Sequence, residues 1–263
     1  MNIFVFDIET VPDVATGRRL YGKRTEMETL SDEEVAKVMF HQRSQETNGQ
    51  NEFLRPHLQK VVAISAILRS GERFKVASLG EEEATEQDIL QQFFKTIQHF
   101  TPTLVSWNGG GFDLPVLHYR ALLHGINAAR YWEISEREFR YNNYLNRYHE
   151  RHTDLMDVLA NYQPQSFVRL DEMAVMLGFP GKLGMSGDKV WETYLQGDIH
   201  GIRCYCETDA LNTYLVFLRY ELMRGHLTED GYTEECQRVH DELFASGKPH
   251  FKAFLAAWED NSG

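Results

Sequence analysis

The chain has 263 residues, 42% of them hydrophobic, enough to bury a substantial core in one main domain with appendages. Thirty-nine acidic against 27 basic side chains give a formal net charge of -12, which argues against a long basic channel and leaves only weak non-specific affinity for duplex nucleic acid. No apolar stretch approaches membrane-spanning length and no basic leader with a cleavage site is evident, so the expected setting is the cytoplasm with no membrane partner. The three cysteines, Cys204, Cys206 and Cys236, are an odd number and read as thiols packed in the core.

The first element is an apolar run, Ile3-Phe4-Val5-Phe6, that ends in Asp7-Ile8-Glu9-Thr10 and reads as a buried strand. Alternation along a strand puts Asp7 and Glu9 on one side about 7 Å apart, close enough to share a cation. Without one, the two carboxylates repel each other and lose hydration. Residues 14–56 are polar and charged, with a helix over Asp32 to Gln42 announced by Ser31 and a loop-like stretch from Ser44 to Asn51. This insertion either frames a substrate entrance or forms a mobile surface lobe. Residues 61–68 and 73–79 pair as a hairpin about Ser70-Gly71. An amphipathic helix over Asp88 to Phe100 then leads to a fourth strand, Thr103 to Trp107.

Asn108-Gly109-Gly110-Gly111-Phe112-Asp113 follows that strand and opens a helical pattern that stops before Gly125. Pro115 suits the first helical turn, and Gly125 suits the residue just past the end. Asp113 therefore stands at the carboxyl end of a strand, where functional groups of open α/β sheets gather, and could also cap the helix. The glycine run lacks the Lys-Ser/Thr ending of a phosphate loop. Between Phe139 and His152, tyrosines interleave with arginines and asparagines. Arg140, Tyr144, Arg147 and Tyr148 offer phosphate forks and stacking faces for a single strand, or else the segment packs on its own aromatics. Asp154 is expected to cap a helix from Leu155 to Tyr162, with Asp157 at the third helical position. Gly184-Met185-Ser186-Gly187-Asp188, with Lys182 and Lys189 beside it, opens a further helix; its amides and Ser186 either receive a phosphate or simply cap.

A long helical pattern runs from Ile202 to Tyr220 and ends near Gly225. Tyr205 and Asp209 are four apart, hence on one face, and so apolar a helix has little reason to turn a carboxylate inward unless a cation waits there. One or two more helices over 227–258 pack on the main body.

Phe6-Asp7-Ile8-Glu9-Thr10, Asn108-x3-Phe112-Asp113 and Tyr205-x3-Asp209 resemble the three motifs of four-acid 3′-to-5′ exonucleases with the tyrosine form of the third motif. More closely, the chain is similar to a bacterial family of stand-alone predicted exonucleases that resemble the proofreading domain of family-B DNA polymerases. His57 to Arg69, His152 to Asp157 and Tyr205-Cys206-Glu207 with Asp209 carry that closer likeness. The resemblance covers residues 1–225 and implies a ribonuclease H-like α/β fold, a mixed five-stranded sheet flanked by helices, with residues 226–263 as a helical extension.

It also implies two divalent cations, Mg²⁺ or Mn²⁺, held about 4 Å apart by Asp7, Glu9, Asp113 and Asp209. One would activate water and the other would stabilise the departing 3′ oxygen. Tyr205 would orient the water, because a tyrosine pKa near 10 makes it a poor base at neutral pH. Thr10, Asn108 and Phe112 would meet a single-stranded 3′ end of DNA or RNA. Two other readings share the fold: a catalytically weak nucleic-acid-binding protein, for which lost acids are expected, and an endonuclease, for which the Tyr-x3-Asp pair is not.

Overall fold

The computed structural model describes residues 2–22 and 27–261; residues 23–26 of the insertion lie outside the described residues. Strand β1, Asn2–Pro12, forms the middle of a five-stranded sheet. It leads into α1, Val14–Tyr21, and α2, Asp32–Glu46. Ser31 caps α2 in a reciprocal box with Glu34, as its place before the helix predicts. The helix continues to Glu46, into the stretch expected to be loop, and Asn48 at φ 51° turns the chain away. The insertion has a small core in Met27, Val35, Met39 and Leu54, completed by Leu58 just past its end.

The hairpin is present as β2, Gln59–Ser70, and β3, Arg73–Ser78, turning at Gly71 with φ 55°. Next come α3, Glu86–Phe100, β4, Thr103–Ser106, and α4, Asp113–His124. One helical turn, α5, Arg137–Arg140, overlaps the start of the 139–152 segment, and β5, His152–Asp154, and α6, Leu155–Leu159, follow. Expected to reach Tyr162, α6 stops early because Asn161 and Tyr162 both take positive φ. Helices α7, Leu170–Met176, α8, Val190–Leu195, and α9, Ile199–Met223, follow. Two more helices, α10, Glu229–Ser246, and α11, Pro249–Asn261, occupy the C-terminal region.

The sheet order is β3-β2-β1-β4-β5. β1 runs antiparallel to β2 and parallel to β4, so the sheet is mixed. Alternation divides β1 between two cores. Ile3 and Val5 join the apolar face of α9 together with Val239, Leu243 and Phe254 of the last two helices. Phe4, Phe6 and Ile8 face Phe93 and Ile97 of α3 and Leu117 of α4. Each fully buried ring or branched chain here contributes about 1.5–3 kcal/mol, so the sheet is fixed from both sides.

Two buried ionic networks fix the layers. Arg120 of α4 reaches Asp13, just past β1, and Glu86 at the start of α3, while Glu86 also accepts from Val61 N–H of β2 at 2.7 Å. Glu235 of α10 joins Arg69 of β2 at 2.6 Å and accepts from the Tyr214 hydroxyl of α9 at 2.9 Å. Among the described residues, no helix is long and apolar enough to cross a membrane.

Candidate active site

β1 continues beyond its pairing with β4, which ends at Val5↔Val105, so Asp7 and Glu9 project past the carboxyl edge of the parallel pair. The register against β2 shifts between Glu9 and Thr10, where Val62 is the extra residue; such a bulge re-aims the last side chains of a strand. Asp113 arrives from α4. It is the first helical residue rather than the cap, a place taken by Phe112 without a side-chain bond. Its carboxyl instead accepts the backbone N–H groups of Ile8 and of itself, which ties α4 to β1. α9 brings Tyr205 and Asp209, whose side chains hydrogen-bond each other.

Asp7, Asp113, Tyr205 and Asp209 line one cleft of about 390 Å³ together with Trp107, Asn108 and Phe112. Glu9, 8% exposed, is buried next to Asp7 and is not part of the cleft lining. Cys206 is fully buried beside them: its thiol donates to the Asp7 carbonyl at 3.3 Å and carboxylate at 3.4 Å. Asp7, Glu9 and Cys206 bring ligand atoms within 4.8 Å of one another. Cys206 is thus a core thiol as expected, but one that touches the acids.

The electrostatics are those of a site short of positive charge. Burial, then the charges of Asp113 and Asp209, push the Asp7 carboxyl well above its ordinary range. Burial, then Asp7, Asp209 and Asp113, do the same to Glu9, which Lys182 partly offsets. Asp113 is raised to about 7 by burial, and Asp209 to about 6, also by burial, against the hydrogen bond from Tyr205 and the charge of Lys182. Burial and the neighbouring acids raise the Tyr205 hydroxyl, so it remains a proton donor at neutral pH. Four oxygen-donor carboxylates with unmet charge are the donor set that hard divalent cations prefer, and the residues fit such ions.

Asp154 supports the second motif. Its carboxylate accepts Asn108 N–H at 2.9 Å and Gly110 N–H at 2.8 Å, and it caps α6 through Asp157 N–H at 3.5 Å. It caps, as expected, and also cradles the glycine turn. Asn108 itself sits at φ 61°, a left-handed conformation that asparagine tolerates. Side chains at Gly109 and Gly111 would collide with Ser106 and Asn108, so the glycines serve close packing.

The other candidates divide. Asn108 and Phe112 line the cleft, whereas Thr10, half-buried after the β-bulge, is not part of its lining. Nor is Tyr144: it is 3% exposed, stacks on Tyr131 at 5.4 Å and donates its hydroxyl to the Pro102 carbonyl at 2.6 Å. Its expected stacking on a base is corrected to a core role, because its ring packs on Tyr131 from outside the segment and on Phe139 within it. Arg140 ends α5, and Arg147 pairs with Asp157 at 2.7 Å over the rings of Tyr148 and Tyr162. Asp157 follows Met156, a cleft residue, but neither Asp157 nor Arg147 lines the cleft.

Ser186 precedes a 3-10 turn, Gly187–Lys189, that runs directly into α8, so the loop opens a helix as expected, and the Ser186 hydroxyl holds the Asp188 carboxyl below its ordinary range. Ser186 does not itself line the acid cleft. Lys182 and the Phe167–Asp171 wall were not placed in the cleft by sequence patterning. Only the glycine-rich neighbourhood of Lys182 hinted at it.

A family model described as "Predicted 3'-5' exonuclease related to the exonuclease domain of PolB" matches residues 51–258. The match takes in the second and third acidic motifs, while Asp7 and Glu9 precede it. Over 143 residues the chain is 27% identical to the catalytic polypeptide of DNA polymerase epsilon from Aspergillus fumigatus, a stretch that is 52% of this chain and 6% of that polypeptide. The family B DNA polymerase of the hyperthermophilic archaeon Pyrobaculum calidifontis superposes with a TM-score of 0.50 at 18% identity, over 85% of this chain and 24% of the polymerase, a likeness of fold alone. Since the family match spans most of the chain, this protein belongs to the family of predicted 3′-5′ exonucleases related to the PolB exonuclease domain.

Proposed function

We propose that the protein is a divalent-metal-dependent 3′-to-5′ exonuclease that releases nucleoside 5′-monophosphates one at a time from single-stranded 3′ ends. The observation that carries this reading is the set of four gathered acids, Asp7, Glu9, Asp113 and Asp209, each raised by burial. Two Mg²⁺ or Mn²⁺ ions held by these acids would supply Lewis-acid activation of water and charge stabilisation of the departing 3′ oxygen.

The chain's own residues position the reactants. Tyr205 stays protonated and anchored to Asp209, so it orients the attacking water by hydrogen bonding and is not its base. Glu9, buried beside Asp7, meets the terminal 3′ hydroxyl, which explains a demand for a free end. Asn108 and Phe112 border the terminal nucleotide, and Lys182 faces the phosphate once the acids are satisfied. Arg140, Arg147 and Tyr148 lie further out along the strand. All three thiols are free, which fits action in a reducing compartment such as the cytoplasm.

The test is degradation of matched DNA and RNA oligonucleotides, labelled at the 5′ end, beside circular single strands, in Mg²⁺ and in Mn²⁺. Stepwise shortening from the 3′ end, mononucleotide products and intact circles are expected. Cleaved circles, or undiminished cleavage in excess chelator, would overturn the reading; the oligonucleotide pair identifies DNA or RNA as substrate.

A further inference from the structure

Phe53 belongs to the segment that closes the insertion, and its side chain is spread over the surface at 57% exposure. The ring stands 5.2 Å from that of Phe112, tilted by 52°. Phe112 lines the acid cleft, so Phe53 extends the cleft's aromatic wall outward by one ring. Its backbone is held on both sides. Phe53 N–H donates to the Asn51 side chain at 2.8 Å, the Phe53 carbonyl accepts from Arg43 Nε at 3.1 Å, and the next residue, Leu54, is 2% exposed in the insertion's core.

An aromatic side chain displayed to water on an anchored backbone, at the mouth of a polar cleft, forgoes part of the stabilisation that burial would give it. A ring so fixed loses little further freedom when a flat partner lies on it. The apolar partners that a polynucleotide offers are base faces, and every base has one. A duplex end has its faces covered by stacking and pairing, whereas an unpaired strand leaves them open.

We propose that Phe53 and Phe112 form a two-ring step that stacks unpaired bases next to the 3′ terminus, with the insertion supplying the outer ring. The step selects single-stranded ends without reading sequence. This inference rests on the exonuclease reading and deepens it, turning the insertion from a surface lobe into part of the substrate entrance.

The experiment uses the full chain, Phe53→Ala and Phe53→Tyr, with single-stranded oligonucleotides carrying an abasic nucleotide at the first, second or third position from the 3′ end. Binding is read by fluorescence anisotropy in chelator, and turnover in Mn²⁺. Phe53→Ala should weaken binding roughly 10-fold and raise KM with kcat and melting temperature unchanged, while Phe53→Tyr keeps parental values. One abasic position should weaken the parent by the same factor and abolish the difference between parent and Phe53→Ala. Parental behaviour of Phe53→Ala on all substrates overturns the step, as does a defect that persists undiminished on every abasic strand. A parent that degrades no strand removes the exonuclease reading itself, and an active parent with an indifferent Phe53→Ala removes only this inference.

Discussion

Glu207 and Asp209 lie two residues apart on α9, both in partly desolvated surroundings, and their carboxyl groups are driven in opposite directions. Burial pushes Glu207 up, but hydrogen bonds and charge from His250 and Lys248 reverse it and hold the group at about 2. Its oxygens meet His250 Nε2 at 2.7 Å, Lys248 Nζ at 3.0 Å and Ser78 N–H at 3.0 Å. Burial pushes Asp209 up as well, and Tyr205 and Lys182 leave it at about 6. One acid is satisfied by its own chain and binds the last helix to α9 and β3. The other joins three more acids around an unmet need for positive charge. Burial is common to both, so the supply of donors is what separates a structural carboxylate from a functional one.

The largest effects test that contrast directly. Asp7→Asn or Asp209→Asn should lower turnover by several orders of magnitude while leaving the circular dichroism and melting temperature of the metal-free protein at or above parental values, because each removes a repelling charge. Glu207→Ala should do the reverse: it should lower stability by about 1–3 kcal/mol in urea titration and spare the turnover of the folded fraction. Equal loss of turnover in the three variants would erase the distinction.

Tyr205→Phe sharpens it at a single atom. The hydroxyl is assigned to orientation, so kcat should fall roughly 10- to 1000-fold, less than on loss of an acid, with Mn²⁺ affinity nearly unchanged by calorimetry. A variant that no longer takes up the ion would make Tyr205 part of the metal-holding set.

Protons and cations compete for the unsatisfied acids. With Asp209 at about 6 and Asp113 at about 7, ion binding must displace protons below those values, so affinity should rise with pH. Calorimetry at pH 6.0 and 7.5 should show a gain of about tenfold in Mn²⁺ affinity and proton release that depends on buffer. Affinity indifferent to pH would mean that these carboxylates are already ionised without the ion.

The smallest expected effect concerns Arg147, already paired with Asp157. Arg147→Ala should raise KM a few-fold and spare kcat. The log-log salt dependence of single-strand binding should become shallower by up to about 0.7 if one phosphate contact is lost. An unchanged slope would confine Arg147 to its pair with Asp157.

Local order made much of this legible in the sequence. The alternation that groups Asp7 with Glu9, the four-residue spacing of Tyr205 and Asp209, the Ser31 box and the Gly125 stop all depend on neighbours within one turn or one strand. Tyr144 misled because an aromatic flanked by arginine and asparagine has the same local pattern whether it faces a base or Tyr131, and its actual partner, the Pro102 carbonyl, is 42 residues away. For the same reason no pattern could show that Asp154 holds the Asn108 turn, that Cys206 touches Asp7, or that Phe53 meets Phe112.

The sequence by itself determined the elements, the acids and their grouping by face, because helical and strand periodicity act over a few residues. Only the tertiary structure decided which acids lack donors, which aromatics reach solvent and which cations, Arg169 and Lys182, line the cleft. Those properties arise from desolvation and contact between segments that the chain keeps far apart.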